Sequence, residues 1–223
     1  MAFNKYLKIK INNNAVYSEE MNPLDQFLYI TIELFVVVDP FAAMIMFITF
    51  AKGETVKERR RLANDATWAS FFILLFFAFA GYYILLYFGI SIAALEIAGG
   101  ILILLTSIEM VTEGDKPSGK KEGYEGQEKR DVGIVPLGTP LLAGPGAISL
   151  VILLMHDYSP ILVVSGIVVV SVVTFLLFIS SFFIYDIIKE KGARALTRVF
   201  GILVAGFAVQ YILTGALLFF HVA

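Results

Sequence analysis

The chain contains no cysteine and only two histidines, and these absences exclude several classes of protein. Without cysteine there is no disulfide framework, no thiolate metal site and no cysteine nucleophile. His156 and His221 both fall at the ends of apolar runs, so neither a serine–histidine dyad nor a histidine-rich metal site can form inside one. We therefore expect no enzyme activity, no cofactor and no metal site.

Charge is also scarce. Only 16% of the 223 residues are charged, 58% are hydrophobic and the mean hydropathy is +0.82, whereas ordinary soluble domains are roughly 45–50% apolar. The net charge of -2 offers no extended basic surface, so we expect no nucleic-acid partner. The composition predicts one integral membrane domain of several helices, with the lipid bilayer as its main partner.

Six apolar stretches can each cross a bilayer as a helix, which takes about 20 apolar residues. They are Leu24–Ala51, Ala66–Phe88, Ile92–Val111, Gly133–Met155, Ile161–Ile187 and Val199–Phe220. Residues 1–23 form a polar N-terminal arm, and residues 112–132, rich in Gly, Lys and Glu, form a solvated linker. The linker separates two halves of three spans each, residues 24–111 and 133–223. The expected fold is all-α, with six transmembrane helices.

Lysine and arginine concentrate in three segments, namely the loop after span one, the linker and the loop after span five. These residues are Lys52, Lys57, Arg59, Arg60, Arg61, Lys116, Lys120, Lys121, Lys129, Arg130, Lys189, Lys191, Arg194 and Arg198. Cytoplasmic loops carry such an excess of positive charge. Both termini are therefore expected outside a cell (inner, cytoplasmic) membrane.

The two halves resemble each other in sequence. "VDPFAAMI" from Val38 aligns with "AGPGAISL" from Ala143, and "GILILLTSIEMVTEG" from Gly100 aligns with "GILVAGFAVQYILTG" from Gly201. Three spans per half is an odd number, so the halves must have opposite orientations. Inverted repeats of this kind, with interrupted helices in corresponding places, are typical of secondary transporters.

The first helix of each repeat is predicted to be broken at Pro and Gly. A carboxylate near mid-membrane costs about 2.5–3.5 kcal/mol, yet Asp39 stands in the first span, directly before Pro40. In the second half, "GTPLLAGPGAIS" from Gly138 contains two prolines and three glycines. Irregular backbone at this depth is tolerated where it lines a polar cavity or is enclosed by protein.

Two broken helices suggest a site for a small zwitterion. Backbone N–H groups at the half-helix starts would hold a carboxylate, and Asp39 would hold an ammonium group or carry a proton. The alternative is that the prolines only kink helices and the glycines only allow close packing. The candidate substrate-binding residues are Asp39, Pro40, Phe41, Ala42, Thr139, Gly144, Pro145, Gly146 and Ser149.

Three carboxylates are candidates for proton coupling, namely Asp39, Glu33 and Glu109. Glu33 is equally compatible with a solvated acid at the outer interface. Glu109 aligns with Gln210 of the second half but lies near the inner end of its span. Glu96 is expected at the interface and is not a candidate. At the start of span two, the expected helix caps are Asn64, Asp65 and Thr67.

The sequence resembles the MarC/SnatA family, also called the neutral amino acid transporter family. The resemblance runs from "VVVDPFAAMIMFITF" through "RRRLANDAT", "AGGILILLTSIEM" and "PLGTPLLAGPGAI" to "RVFGILVAGFAVQYILTG". It is most specific in "PLLAGPGAI" from Pro140. The chain departs from the family in the first motif, where Ala42, Ala43 and Met44 replace a stretch that commonly holds a Gly and a second Pro.

The resemblance implies a six-span inner-membrane transporter, some of whose members move glycine and alanine and draw on the proton gradient. We expect secondary active transport of a small neutral amino acid by alternating access, coupled to protons or, as the alternative, to Na⁺. An amino acid exporter or exchanger of the lysine-exporter type and a passive channel for small polar solutes are the other hypotheses. A scaffold without transport is a further one. The oligomeric state does not follow from the sequence.

Overall fold

A computed structural model describes residues 22–112 and 142–222, and within these ranges the chain forms six helices and no strand. The helices are α1 (Pro23–Val38), α2 (Pro40–Ala51), α3 (Val56–Phe88), α4 (Ile92–Thr112), α5 (Pro145–Asp157) and α6 (Pro160–Val222). The predicted all-α class is confirmed. The candidate Thr139 lies outside the described residues, as does all of the predicted linker except Thr112 and nearly all of the predicted N-terminal arm.

The described helices account for four or five membrane spans by length and composition. Four are long and apolar enough alone, namely α3, α4 and two parts of α6, Pro160–Ile184 and Arg194–Phe220. Helices α1 and α2 pass the same test only as a pair, which is bent by 40°. Of the predicted fourth span, Gly133–Met155, the described residues show α5, a shorter apolar helix of 13 residues.

Helix α6 reverses direction along its length. Gly166 packs against Ile30, and the Tyr211 hydroxyl lies 3.0 Å from the Glu33 carboxylate, so both ends of α6 meet the same turn of α1. A straight helix rises 1.5 Å per residue, which would separate residues roughly 45 apart by about 67 Å. The chain must therefore turn back between Ile184 and Arg194, and α6 supplies two antiparallel spans.

Helix α3 begins well before the apolar stretch from which it was predicted. Thr55 is its N-cap, the Thr55 hydroxyl accepts a hydrogen bond from the Glu58 N–H at 3.3 Å, and the Glu58 carboxylate accepts one from the Thr55 N–H at 2.9 Å. This reciprocal pair is a capping box. The predicted caps Asn64, Asp65 and Thr67 lie inside the helix, so that prediction was wrong.

The two ends of the helix bundle differ in chemistry. At one end the rings of Tyr29 and Tyr158 lie 6.0 Å apart, and Tyr82 stacks on His156. We call this the tyrosine end. At the other end, the basic end, the Arg59 guanidinium lies 3.8 Å above the Phe182 ring. Between them is an apolar core in which, for example, Phe47 stacks on Phe178 at 4.7 Å.

Helix α4 and the second span of α6 pack closely through glycines. An added β-carbon at Gly100 would lie 2.8 Å from the Ala208 carbonyl oxygen, and one at Gly201 would lie 3.0 Å from the Met110 β-carbon. The partner numbers fall along α6 as they rise along α4, so the two helices are antiparallel. Small residues permit this approach inside a bilayer. We call this contact the glycine seam.

Candidate functional site

Asp39 forms the break between α1 and α2. Its backbone is left-handed (φ 43°, ψ 69°), and no other non-glycine residue in the described ranges has a positive φ. Aspartate tolerates this conformation better than most residues. The Asp39 N–H ends α1 on the Phe35 carbonyl at 3.1 Å, and its carboxylate Oδ1 accepts from the Ala42 N–H at 3.3 Å to begin α2. The predicted interruption at Asp39 and Pro40 is present.

The second carboxylate oxygen of Asp39 is buried and has no hydrogen-bond donor among the residues that the structure describes. The side chain is only 5% exposed. Thr197 of α6 faces the same carboxylate, and its hydroxyl is likewise buried, with no partner at full hydrogen-bond geometry within the described ranges. A buried acceptor left unpaired is costly. Asp39 Oδ2 and Thr197 Oγ1 are therefore groups available to a bound ligand.

The start of α5 lacks a side-chain cap. Gly144 is its N-cap and contributes no side-chain hydrogen bond, and Pro145 occupies the first helical position. The first N–H groups of a helix have no partner within the helix, so the start of α5 offers donors to an anion. Gly146 and Ser149 are buried, Gly144 is half-buried and Pro145 is exposed.

The two breaks contact neighbouring parts of one helix pair, α4 and the second span of α6. The Phe41 ring, at the start of α2, lies 5.8 Å from the Phe200 ring of α6. The next residue of α6, Gly201, packs against Met110 and Ser107 of α4. About one turn away on α4, Ile103 and Thr106 face Gly146 at the start of α5.

The break at Asp39 therefore lies against α6, and the start of α5 lies against α4. Both contacts are at a similar level along the glycine seam. The side chains of Phe41 and Ala42 are half-buried, whereas Pro40 is buried. Of the nine predicted substrate-binding residues, eight are within the described ranges. Seven of them fall at these two helix starts or in their first turns, and Ser149 lies in the second turn of α5.

Glu33 is buried rather than solvated. Its side chain is 1% exposed, Oε1 accepts a hydrogen bond from the Tyr211 hydroxyl at 3.0 Å, and Oε2 has no partner in the described part of the chain. The alternative of a solvated interfacial acid therefore does not hold. Glu109, by contrast, is exposed on α4, as is its counterpart Gln210 on α6. The structure does not place Glu109 beside the other two carboxylates.

Glu96 was expected at the membrane interface and was not a candidate, yet the structure shows it buried inside the protein. The residue is 3% exposed, its β-carbon would lie 2.8 Å from one added at Gly215, and its Oε2 has no partner in the described ranges. The signal for its burial is its spacing. Glu96 lies four residues before Gly100 and therefore on the same helix face, which is the face that packs against α6.

These features define a multi-pass, all-helical integral membrane protein whose interior holds buried carboxylates and two helix starts. Residues 24–220 match the family described as "MarC family integral membrane protein", and the chain belongs to the MarC family.

Three curated relatives illustrate the match. A protein named UPF0056 membrane protein MJ1677, from Methanocaldococcus jannaschii, is 37% identical over 197 residues, which cover 86% of this chain and 96% of the relative. UPF0056 membrane protein YvbG of Bacillus subtilis is 34% identical, over 84% of this chain and 92% of its own. UPF0056 membrane protein YhcE of Escherichia coli is 32% identical, over 82% and 88%. No solved structure was found to match.

Proposed function

We propose that this protein is a secondary active transporter of small neutral amino acids such as glycine and alanine, coupled to protons and working by alternating access in the cell membrane. The observation that carries the proposal is the buried, unpartnered Oδ2 of Asp39 at a helix break. A buried acceptor of this kind suits the ammonium group of a ligand, because a charge-assisted hydrogen bond would satisfy it.

The substrate carboxylate would bind at the start of α5. Gly144 leaves this helix start without a side-chain cap, and the N–H groups of Gly146 and Ala147 are its first donors. Glycine at these positions lets a ligand approach the backbone closely. The Thr197 hydroxyl faces Asp39 and would be a second acceptor for the ammonium group. Thr139 and Ser149 stay candidates from the sequence alone.

Contacts across the glycine seam support two inverted repeats. In the sequence alignment of the halves, Gly100 corresponds to Gly201, Ser107 to Ala208 and Val111 to Ile212. Gly100 packs against Ala208 and Ile212, and Gly201 packs against Ser107 and Val111. Each contact therefore recurs with the halves exchanged. For antiparallel helices this exchange corresponds to a two-fold axis in the membrane plane, as in inverted repeats.

The broken helices exchange contacts in the same way. Phe47 of α2 aligns with Ile152 of α5 in the two halves. Phe47 stacks on Phe178 in the first span of α6, which belongs to the other half, and Ile152 packs against Gly81 of α3, also in the other half. These contacts favour the predicted repeats at residues 24–111 and 133–223. The count of six spans and both termini outside are the further parts of the proposal, and they rest on the apolar stretches and the positive charges of the sequence.

The proposal is tested by counterflow of labelled glycine or alanine in proteoliposomes. Asp39→Asn removes the charge but keeps an acceptor, so we expect a rise of about 10–100-fold in the half-saturating concentration, from a loss of about 1.5–3 kcal/mol. Asp25→Asn is the matched control, because Asp25 is an exposed carboxylate on the same helix. Unchanged counterflow in Asp39→Asn, or flux that neither saturates nor exchanges, would contradict the proposal.

A further inference from the structure

A second polar cluster lies near the tyrosine end, away from the helix breaks. Glu33 is its centre and precedes Asp39 by six residues, or about 9 Å along a helix. The groups that face Glu33 are Tyr29 on its own helix, Tyr211 on α6, Asp157 at the end of α5 and Tyr158 in the connection to α6. The break residues contribute to none of these contacts.

The cluster extends from the surface to the interior. Asp157 is exposed, Tyr158 is half-buried and Glu33 is buried. The Tyr158 ring lies 6.0 Å from the Tyr29 ring, which ties the α5–α6 connection to the helix that carries Glu33. Acidic and hydroxyl groups therefore follow one another from the aqueous surface down to a buried carboxylate.

A second buried carboxylate lies within electrostatic range of the same surface residue. Glu96 is 3% exposed, and the charge of Asp157 interacts with the carboxyl group of Glu96 as it does with that of Glu33. Each glutamate has one buried oxygen, Oε2, without a hydrogen-bond partner in the part of the chain that the structure describes. Two orphaned oxygens on nine-tenths-buried carboxylates distinguish this cluster from an ordinary group of surface acids.

The chemistry of the cluster suits a proton better than a metal ion. Among the described residues, no three acidic or histidine side chains come together closely enough to hold a metal. Arg59 lies at the basic end, over the Phe182 ring, and His156, beside Asp157, stacks on Tyr82. Burial raises the pKa of the Tyr158 hydroxyl to about 12, and the carboxyl groups of Glu33 and Asp157 act in the same direction. Tyr158 therefore stays neutral and able to donate a hydrogen bond.

We propose that Glu33 is the binding site of the coupling proton and is loaded from the tyrosine end through Asp157 and Tyr158, while Asp39 is left to the substrate amine. In the loading step a proton passes from the Asp157 carboxyl to Glu33 by way of the hydroxyls of Tyr158 and Tyr29, each of which gives up one proton as it takes another. The Tyr29 ring lies beside the Tyr158 ring, and the Tyr29 hydroxyl contacts the Glu33 carboxylate. Asp157 is then reprotonated by water at the surface. Glu96 is the second buried carboxyl within range of Asp157 and serves as an alternative acceptor. The coupling role rests on the proposed function, whereas proton binding by Glu33 does not.

Infrared difference spectroscopy during a pH titration tests proton binding without any transport. The reconstituted wild-type protein should show the carbonyl stretch of a buried protonated carboxyl, and Glu33→Gln should lose it while Asp25→Asn keeps it. Tyr211→Phe leaves Glu33 in place but removes the donor to Oε1, so the same band should move to higher frequency. A spectrum that Glu33→Gln and Tyr211→Phe both leave unchanged would overturn the proposal.

Transport then separates the coupling role from substrate binding. Glu33→Gln should retain counterflow of labelled glycine or alanine and lose accumulation driven by a pH gradient, and Asp157→Asn should slow that accumulation by about tenfold. Gradient-driven accumulation that survives Glu33→Gln would overturn the coupling role. A wild-type protein without counterflow would instead refute the proposed function, while the infrared result would still decide whether Glu33 binds a proton.

Discussion

Asp39 illustrates how one side chain can have a structural and a chemical role with different oxygens. Oδ1 caps α2 through the Ala42 N–H, and Oδ2 has no partner in the described ranges. The left-handed backbone of the residue turns the chain between the two helices. A residue at this position must therefore tolerate positive φ, accept a hydrogen bond and, in the proposed site, carry charge.

These requirements can be separated by substitution at residue 39. Asparagine tolerates positive φ and caps as well as aspartate, so Asp39→Asn should change the free energy of unfolding by less than about 0.5 kcal/mol. Asp39→Ala loses the cap and is strained at positive φ, and should cost about 2–3 kcal/mol. Thermal unfolding in detergent measures both. Equal stability of the two variants would show that the cap and the strain contribute little.

The sequence was sufficient to predict features whose energetic cost depends only on the residues of one segment. A carboxylate and a proline in an apolar segment indicate a break by themselves, and the break is present at Asp39. The burial of Glu96 was missed because its position near a helix end does not indicate which residues pack against it. Gly215 of the last span packs against Glu96, and that is a contact between residues distant in sequence.

At the scale of helices, the glycine seam depends on close approach between backbones. An added methyl group at Gly100 would lie 2.8 Å from the Ala208 carbonyl oxygen, and backbone cannot yield as a side chain can. We expect Gly100→Ala to push α4 and α6 apart and to cost about 1–3 kcal/mol of stability.

Gly206→Ala is the matched control for this prediction. Gly206 is also helical and lies in the same helix pair, but nothing comes within 4 Å of an added β-carbon. Alanine should be neutral there, or more stable by up to about 1 kcal/mol because it favours the helix. Thermal unfolding of the two variants in one detergent compares them directly, and equal destabilisation would argue against a packed seam.

Helix boundaries were predicted less well than helix existence. The apolar stretch placed the start of α3 at Ala66, whereas the helix begins at Val56. Its first turns are polar because they extend beyond the apolar layer, and hydropathy does not detect them. Thr55 and Glu58, spaced as in a capping box, were the available signal. The reversal within α6 was predicted correctly from the basic residues between its two apolar stretches.

At the scale of the whole molecule, the natural absence of cysteine allows the topology to be mapped directly. Single cysteines at Lys57, Ser91 and Ser159 can be labelled with a membrane-impermeant maleimide in cells and in inverted vesicles. Inverted repeats require Ser91→Cys and Ser159→Cys to react from one side and Lys57→Cys from the other. Reaction of Ser159→Cys on the same side as Lys57→Cys would contradict the six-span arrangement.

The seam between α4 and the last span of α6 has a consequence for how such a chain could arise. The two halves contact each other through equivalent surfaces. Gly100 of the first half packs against the second half, and Gly201 of the second half packs in the same way against the first. A single three-helix polypeptide that inserted into the bilayer both ways up would already pair with itself through this surface. Two polypeptides made from a gene cut within the linker should find each other in the same way.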